Sequence, residues 1–90
     1  MREIKLTVHP FRMGTDKEAA VKVLEETAEA YGIWDAISKQ DYDPELLPFL
    51  SYELADVIQA ACNLADRYDI DLAAAMEHCE YRNRIRGRYE

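Results

Sequence analysis

Residues 51–68, with the sequence SYELADVIQAACNLADRY, decide the fold class of this chain. Their apolar side chains recur every three to four residues, and this spacing places them along one side of an α-helix. A helix with one apolar side is stable when that side packs against a second element. The apolar stripe consists of Leu54, Val57, Ile58, Ala61, Leu64, Ala65 and Tyr68. The stretch therefore predicts an all-α fold built around this helix.

Local capping signals indicate where this helix and two others begin. Thr15 and Glu18 have the spacing of a capping box. Asp43 is suited to cap the central helix, because the next residue, Pro44, is favoured at the first helical position. Asp71 is the corresponding N-cap of the last helix. The predicted helices cover residues 16–38, 44–68 and 71–86.

An N-terminal arm, residues 1–15, precedes the first helix. Residues 4–8 alternate apolar and polar side chains, which fits an extended arm as well as a strand. His9-Pro10 and Gly14 then interrupt this pattern. We therefore expect one domain, residues 1–90, with three main helices.

The chain is short for a stable monomer. A domain of 90 residues buries only about 60–65% of the surface of its unfolded chain. Association of identical chains raises this fraction, so we expect a homodimer or a homotetramer. Its cores are expected to be four-helix bundles.

The charge distribution limits the possible partners. A net charge of −7 argues against a nucleic acid, because binding to a phosphate backbone normally requires a basic surface. The chain nevertheless ends in a basic tail, in which Arg82, Arg84, Arg86 and Arg88 stand against Glu90. An acidic body with a basic tail suits a polyphosphate bound together with a metal ion.

Hydropathy and cysteine content indicate the compartment. The N-terminus is too short and too charged for a signal peptide, and no apolar run reaches the ~18 residues of a membrane span. Cys62 and Cys79 lack metal-site spacing and are expected to be small core residues in a reducing environment. We therefore expect a cytoplasmic protein with no membrane partner.

Two acidic clusters are the candidate site. Glu26 and Glu29 project about 60° apart on the first helix, and Glu53 and Asp56 do the same on the second. Such clusters are most often solvated, but these border apolar stripes and their carboxylates repel one another. Antiparallel packing would bring the four together as oxygen ligands for Mg²⁺. Glu25, a fifth carboxylate, could support a second ion or activate water.

The order of these clusters resembles a known family. Glu25-Glu26-x-x-Glu29, followed after residues 30–52 by Glu53-x-x-Asp56, is similar to the signature of the all-α nucleoside triphosphate pyrophosphohydrolases, the MazG-like group. The later blocks 63–66 and 68–72 agree with that family in order. The resemblance extends over residues 16–88, and the tail 82–88 is similar to that of phage-type members.

The resemblance implies a Mg²⁺-dependent enzyme, with Mn²⁺ as the alternative ion. It would hydrolyse a ribo- or deoxyribonucleoside triphosphate between the α and β phosphates, releasing the monophosphate and pyrophosphate. By the same resemblance, Glu26, Glu29, Glu53 and Asp56 would be metal ligands. Glu25 would orient or deprotonate the attacking water.

Four further residues are expected to contact the substrate. Asn83 and Arg84 are candidates for the phosphates, and Asn63 falls on the same helix face as Glu53 and Asp56. Trp34 is a candidate for stacking on the base, although it also suits a core or a subunit interface. Cys79 stands where family members often have a lysine, so a phosphate contact at that position is not expected.

Two alternatives stay open. A phosphoribosyl-ATP pyrophosphohydrolase would share the metal site but needs a larger substrate pocket. A non-enzymatic helical module would use the acidic face to bind a basic partner. Joint binding of magnesium and a nucleotide distinguishes the enzymes from the module, and a panel of substrates distinguishes the two enzymes.

Overall fold

The computed structural model describes residues 1–39 and 42–90, and their regular structure is helical. The all-α prediction is therefore confirmed. Helix α1 is Asp16–Lys39, a short 3-10 turn covers Pro44–Leu46, α2 is Leu47–Arg67 and α3 is Leu72–Ile85. Within the described ranges, no helix is long and apolar enough to cross a membrane.

Thr15 and Asp71 make the expected bonds at the starts of α1 and α3, whereas Asp43 caps the 3-10 turn and not α2, whose N-cap Leu46 has no side-chain capping bond. Thr15 Oγ1 accepts a hydrogen bond from the Glu18 backbone N–H at 3.1 Å. Asp43 Oδ1 accepts from the Glu45 N–H at 3.0 Å, and Asp71 Oδ1 accepts from Ala74 N–H at the same distance. These bonds satisfy backbone donors that would otherwise lack partners at a helix start. Pro48 has no N–H to bond the carbonyl of residue 44, so a 3-10 turn comes first and the regular helix begins at Leu47 rather than at residue 44.

Helices α1 and α2 pack against each other in antiparallel orientation. Arg67 at the end of α2 is paired with Asp16 at the start of α1, with 2.7 Å between Nε and Oδ1. Small side chains at Ala30, Ala60 and Ala65 let the two backbones approach, and these residues are buried. Most of the packing in the chain is in this interface.

Much of the predicted apolar stripe remains on the surface. Leu54 is 50% exposed, Ile58 38% and Tyr68 57%. Within the described residues, no large side chain is completely buried. Every residue of α3 is exposed or half-buried, and this helix has no packing with α1 or α2 comparable to the α1–α2 interface. One chain therefore does not cover the apolar surface that its own sequence carries.

The N-terminal arm is extended and lies beside α2. Gln59 Nε2 donates to the His9 carbonyl at 3.2 Å, and the Phe11 N–H donates to Asn63 Oδ1 at 3.0 Å. Arg67 Nη2 donates to the Gly14 carbonyl at 2.9 Å. Gly14 has φ +71°, a conformation that glycine adopts without strain, and this lets the arm turn into α1. Of the two structures left open by the sequence, the arm has the extended one.

Candidate metal centre

Three carboxylates converge where α1 faces α2. Glu26, Glu53 and Asp56 each offer an oxygen atom, and the three atoms lie within 4.8 Å of one another. The i, i+3 pair on α2 faces the buried glutamate of α1 because the two helices are antiparallel. The structure thus brings together three of the four predicted ligands; we call them the carboxylate trio.

Two oxygens at the interface have no hydrogen-bond partner within the described part of the chain. They are Glu26 Oε2 and Glu53 Oε2, and both atoms are buried. Glu26 is only 7% exposed, and its other oxygen lies 3.2 Å from Lys22 Nζ. A buried charged oxygen without a partner costs more than 1–3 kcal/mol, roughly. A bound ligand or a water at this interface would satisfy them.

The donor set suits a hard divalent cation. Carboxylate oxygens are the ligands that Mg²⁺ and Ca²⁺ prefer, whereas zinc sites are usually built from cysteine and histidine. Lys22 offsets part of the negative charge of the trio, and the hydrogen bond and charge of Glu26 raise the pKa of that lysine. The residues present offer the oxygen ligands that a hard divalent cation takes.

Glu29, the fourth predicted ligand, lies at the edge of the trio. The charge of Glu26, a hydrogen bond with Glu53 and partial burial raise the pKa of the Glu29 carboxyl. A raised pKa means that this position favours the neutral acid over another negative charge. Glu29 is therefore close enough to Glu26 and Glu53 for them to affect its ionisation, but its oxygens are not among the three that converge.

Glu25 is separated from the trio. Its side chain is 54% exposed, and its Oε2 lies 3.6 Å from Lys22 Nζ on the outer side of α1. The one-residue offset from Glu26 rotates it by about 100° around the helix. Its predicted role with the attacking water is therefore not supported by its position in one chain.

A cavity of about 420 Å³ adjoins the trio. This volume is within the ~300–1,000 Å³ range of small-molecule sites. Its walls come from α1, α2 and the N-terminal arm, and Glu26 and Asp56 both belong to them. The other lining residues are Phe11, Met13, Gly14, Glu18, Ala19, Lys22, Gln59, Ala60, Asn63 and Arg67.

One of the four predicted substrate residues lines this cavity. Asn63 does so, as its spacing of seven residues from Asp56 predicted. Asn83 instead donates to Tyr89 Oη at 3.2 Å, and Arg84 is exposed on α3. Trp34 is 51% exposed and lies beside Tyr31, with 5.6 Å between ring centres. Within the described residues, Asn83, Arg84 and Trp34 therefore do not line the cavity of their own chain.

The sequence reasoning did not identify Gln59 and the arm residues of this cavity. Gln59 could have been found, because its spacing from Asp56 and Asn63 is that of one helix face. Phe11 and Met13 carried no comparable signal, since nothing local indicates where an extended arm lies.

The chain matches no protein-family model, and neither the curated proteins nor the solved structures include a match. The function is therefore inferred from the residues and geometry of this chain.

Proposed function

We propose that the protein is a magnesium-dependent nucleoside triphosphate pyrophosphohydrolase, which cleaves its substrate between the α and β phosphates. The observation that carries the proposal is the pair of buried, unpartnered oxygens of Glu26 and Glu53 beside a cavity of substrate size. The resemblance of the two acidic clusters to the MazG-like group supplies the reaction type.

The metal would be held by the carboxylate trio, with Glu29 as a further ligand. When bound, Mg²⁺ neutralises charge that develops on phosphate oxygens during cleavage. Glu26 and Glu53 supply their ligand atoms from a rigid helix pair, so little ordering is needed on binding. Asp56, the most exposed member of the trio, lies in the cavity wall, where it would face the substrate.

Two basic residues line the cavity, and Lys22 is the one that would act on the phosphates. Its ordinary pKa lies well above neutral, and the hydrogen bond and charge of Glu26 raise that pKa further. It therefore provides a positive charge beside the trio. Arg67 lies further along α2 than Asn63, where Asp16 and the Gly14 carbonyl hold its guanidinium at the other end of the cavity.

The attacking water needs a base, for which there are two candidates. Glu25 has that role by resemblance, but it is paired with Lys22 outside the cavity. Glu29 is the second candidate because its carboxyl lies beside Glu26 and Glu53, at the edge of the trio. Glu29→Gln and Glu25→Gln distinguish the two candidates. Replacing the base lowers kcat, whereas replacing a metal ligand also lowers the affinity for magnesium.

We propose that the protein acts as a homo-oligomer, a dimer or a tetramer. Leu54, Ile58 and Tyr68 are exposed on α2, and α3 is scarcely packed in its own chain. Contiguous apolar surface of this kind marks a protein interface. Substrate contacts by Asn83 and Arg84 would then be made across the interface. Sedimentation at several concentrations tests this, and a monomer throughout would refute it.

The test of function is pyrophosphate release in Mg²⁺ or Mn²⁺ from a panel of ribo- and deoxyribonucleoside triphosphates and phosphoribosyl-ATP. We expect equal amounts of monophosphate and pyrophosphate, and a loss of turnover in Asp56→Asn. Glu77→Gln, on α3, is the matched control and should retain activity. A protein that releases no pyrophosphate from any of these substrates would contradict the proposal. A preference for phosphoribosyl-ATP would select the alternative enzyme.

A further inference from the structure

One wall of the cavity is not used by the metal chemistry. Phe11 and Met13 of the N-terminal arm line it, and they are 51% and 74% exposed. Apolar side chains in an arm would ordinarily be mobile. Here the backbone is tied to α2 on both sides of them, at the His9 carbonyl and at the Gly14 carbonyl. The arm therefore presents an ordered apolar surface to the cavity.

Two amides of the same cavity have a fixed orientation. Asn63 Oδ1 accepts from the Phe11 N–H at 3.0 Å and from Gln59 Nε2 at 2.8 Å. A backbone N–H can only donate, so the atom facing it must be the amide oxygen. Gln59 Nε2 also donates to the His9 carbonyl at 3.2 Å, which uses both of its hydrogens.

The fixed orientation leaves one amide donor and one amide acceptor available to a ligand. Asn63 Nδ2 and Gln59 Oε1 form no hydrogen bond within residues 1–39 and 42–90, and both residues line the cavity. They are four residues apart on α2, so they are neighbours on one helix face. A nucleobase edge carries an acceptor beside a donor, which is the complement of this pair.

The amide pair also lies at a suitable distance from the trio. Asp56 and Asn63 are separated by seven residues of α2, a rise of about 10 Å along the helix. That length matches the separation of the base from the reacting phosphates in a nucleoside triphosphate.

We propose that the arm wall, Phe11 and Met13 together with the Gln59–Asn63 amide pair, binds the base of the substrate. The ring of the base stacks on Phe11, and its polar edge meets the two amides. This inference rests on the proposed function, because the phosphates are taken to lie at the trio. It replaces Trp34 as the residue that contacts the base.

The test compares two ligands in Mg²⁺ by calorimetry: a non-hydrolysable nucleoside triphosphate analogue and inorganic tripolyphosphate, which has no base. Phe11→Ala keeps the backbone N–H that anchors the arm. It should weaken binding of the nucleotide about five- to tenfold, the lower part of the range for stacking on an aromatic side chain. Binding of tripolyphosphate should change less than about twofold, since the phosphate contacts are intact.

Two further variants complete the test. Asn63→Leu is neutral and similar in size, and it should also weaken the nucleotide selectively. Phe49→Ala is the matched control, because Phe49 is 55% exposed on α2 outside the lining of this cavity. It should leave both affinities unchanged.

If Phe11→Ala lowers the affinity for both ligands equally, or for neither, the base site is overturned. Tripolyphosphate bound in Mg²⁺ as tightly as the nucleotide by the unmodified protein would also overturn it, while leaving the metal site in place. A nucleotide affinity that is the same in Mg²⁺ and in EDTA, yet lowered by Phe11→Ala, would instead refute the metal-dependent function and leave the base site standing.

Discussion

Replacing Glu53 by glutamine should stabilise the metal-free protein. The substitution keeps the shape of the side chain and removes one charge from three carboxylate oxygens that lie within 4.8 Å of one another. At that separation two unit charges repel by about 3.5 kcal/mol for an effective dielectric constant of 20, and by about 1 kcal/mol in bulk water. Glu53 is half-buried and Lys22 offsets part of the charge of Glu26, so we expect a gain of about 1–3 kcal/mol.

The gain is measured by urea unfolding in EDTA at fixed protein concentration. In a domain of this size, a change of 1 kcal/mol in the free energy of unfolding corresponds to a shift of roughly 4–8 °C in melting temperature. Magnesium should stabilise the unmodified protein, by about 2.7 kcal/mol when its concentration is a hundred times Kd. Glu53→Gln should lose most of this response, because a ligand oxygen has been replaced by a weaker neutral one.

Glu77→Gln is the control, since it makes the same chemical change on the exposed α3 helix away from the trio. Its unfolding free energy should change by less than about 0.5 kcal/mol. If Glu53→Gln and Glu77→Gln behave alike in EDTA, or if the response to magnesium survives in Glu53→Gln, the trio is not a strained metal centre.

Three further outcomes are expected. Glu26 and its neighbours raise the folded-state pKa of Glu29 above its ordinary value of 4.5, so the native state binds a proton more readily than the unfolded chain does. The metal-free protein should become more stable as the pH falls from that raised value towards 4.5, and Glu29→Gln should remove this contribution in urea unfolding at several pH values. Arg67→Met removes one bond that ties the arm and one that joins α2 to the start of α1, so unfolding should become easier by about 1–2 kcal/mol and the Phe11 amide should exchange hydrogen faster. An unchanged exchange rate would mean that the arm is ordered by other contacts. Leu54→Lys puts a charge on the exposed apolar stripe and should shift sedimentation towards the monomer, whereas a stripe outside any interface would leave the molecular mass unchanged.

The helices follow directly from the sequence. Thr15 and Asp71 cap α1 and α3, and Asp43 caps the 3-10 turn, through bonds to residues two or three positions away, so the signal is local and the sequence contains all of it. The carboxylate trio was nearly as accessible to prediction. The i, i+3 spacing sets which carboxylates share a side of each helix, and only antiparallel packing of two consecutive helices was needed in addition.

The other site residues depended on contacts between distant parts of the chain. The arm is held by bonds that join residues about fifty positions apart, such as Phe11 with Asn63, and no periodicity predicts such pairs. Trp34 and Asn83 have side chains suited to a substrate, but neither lines the cavity of its own chain. Residue type alone therefore does not indicate which of these side chains reach that cavity.

The sequence by itself determined the helices, the residues that cap α1 and α3, and the two acidic clusters, because spacing and capping act within a few residues. Adjacent residues on a helix point about 100° apart. Only the tertiary structure decided which of these sides of α1 packs against α2, so that Glu26 joins the α2 pair at a buried interface while Glu25 stays outside. It also decided that the N-terminal arm closes one side of the cavity. That arrangement depends on hydrogen bonds between the arm and α2, whose partners lie about fifty residues apart in the sequence.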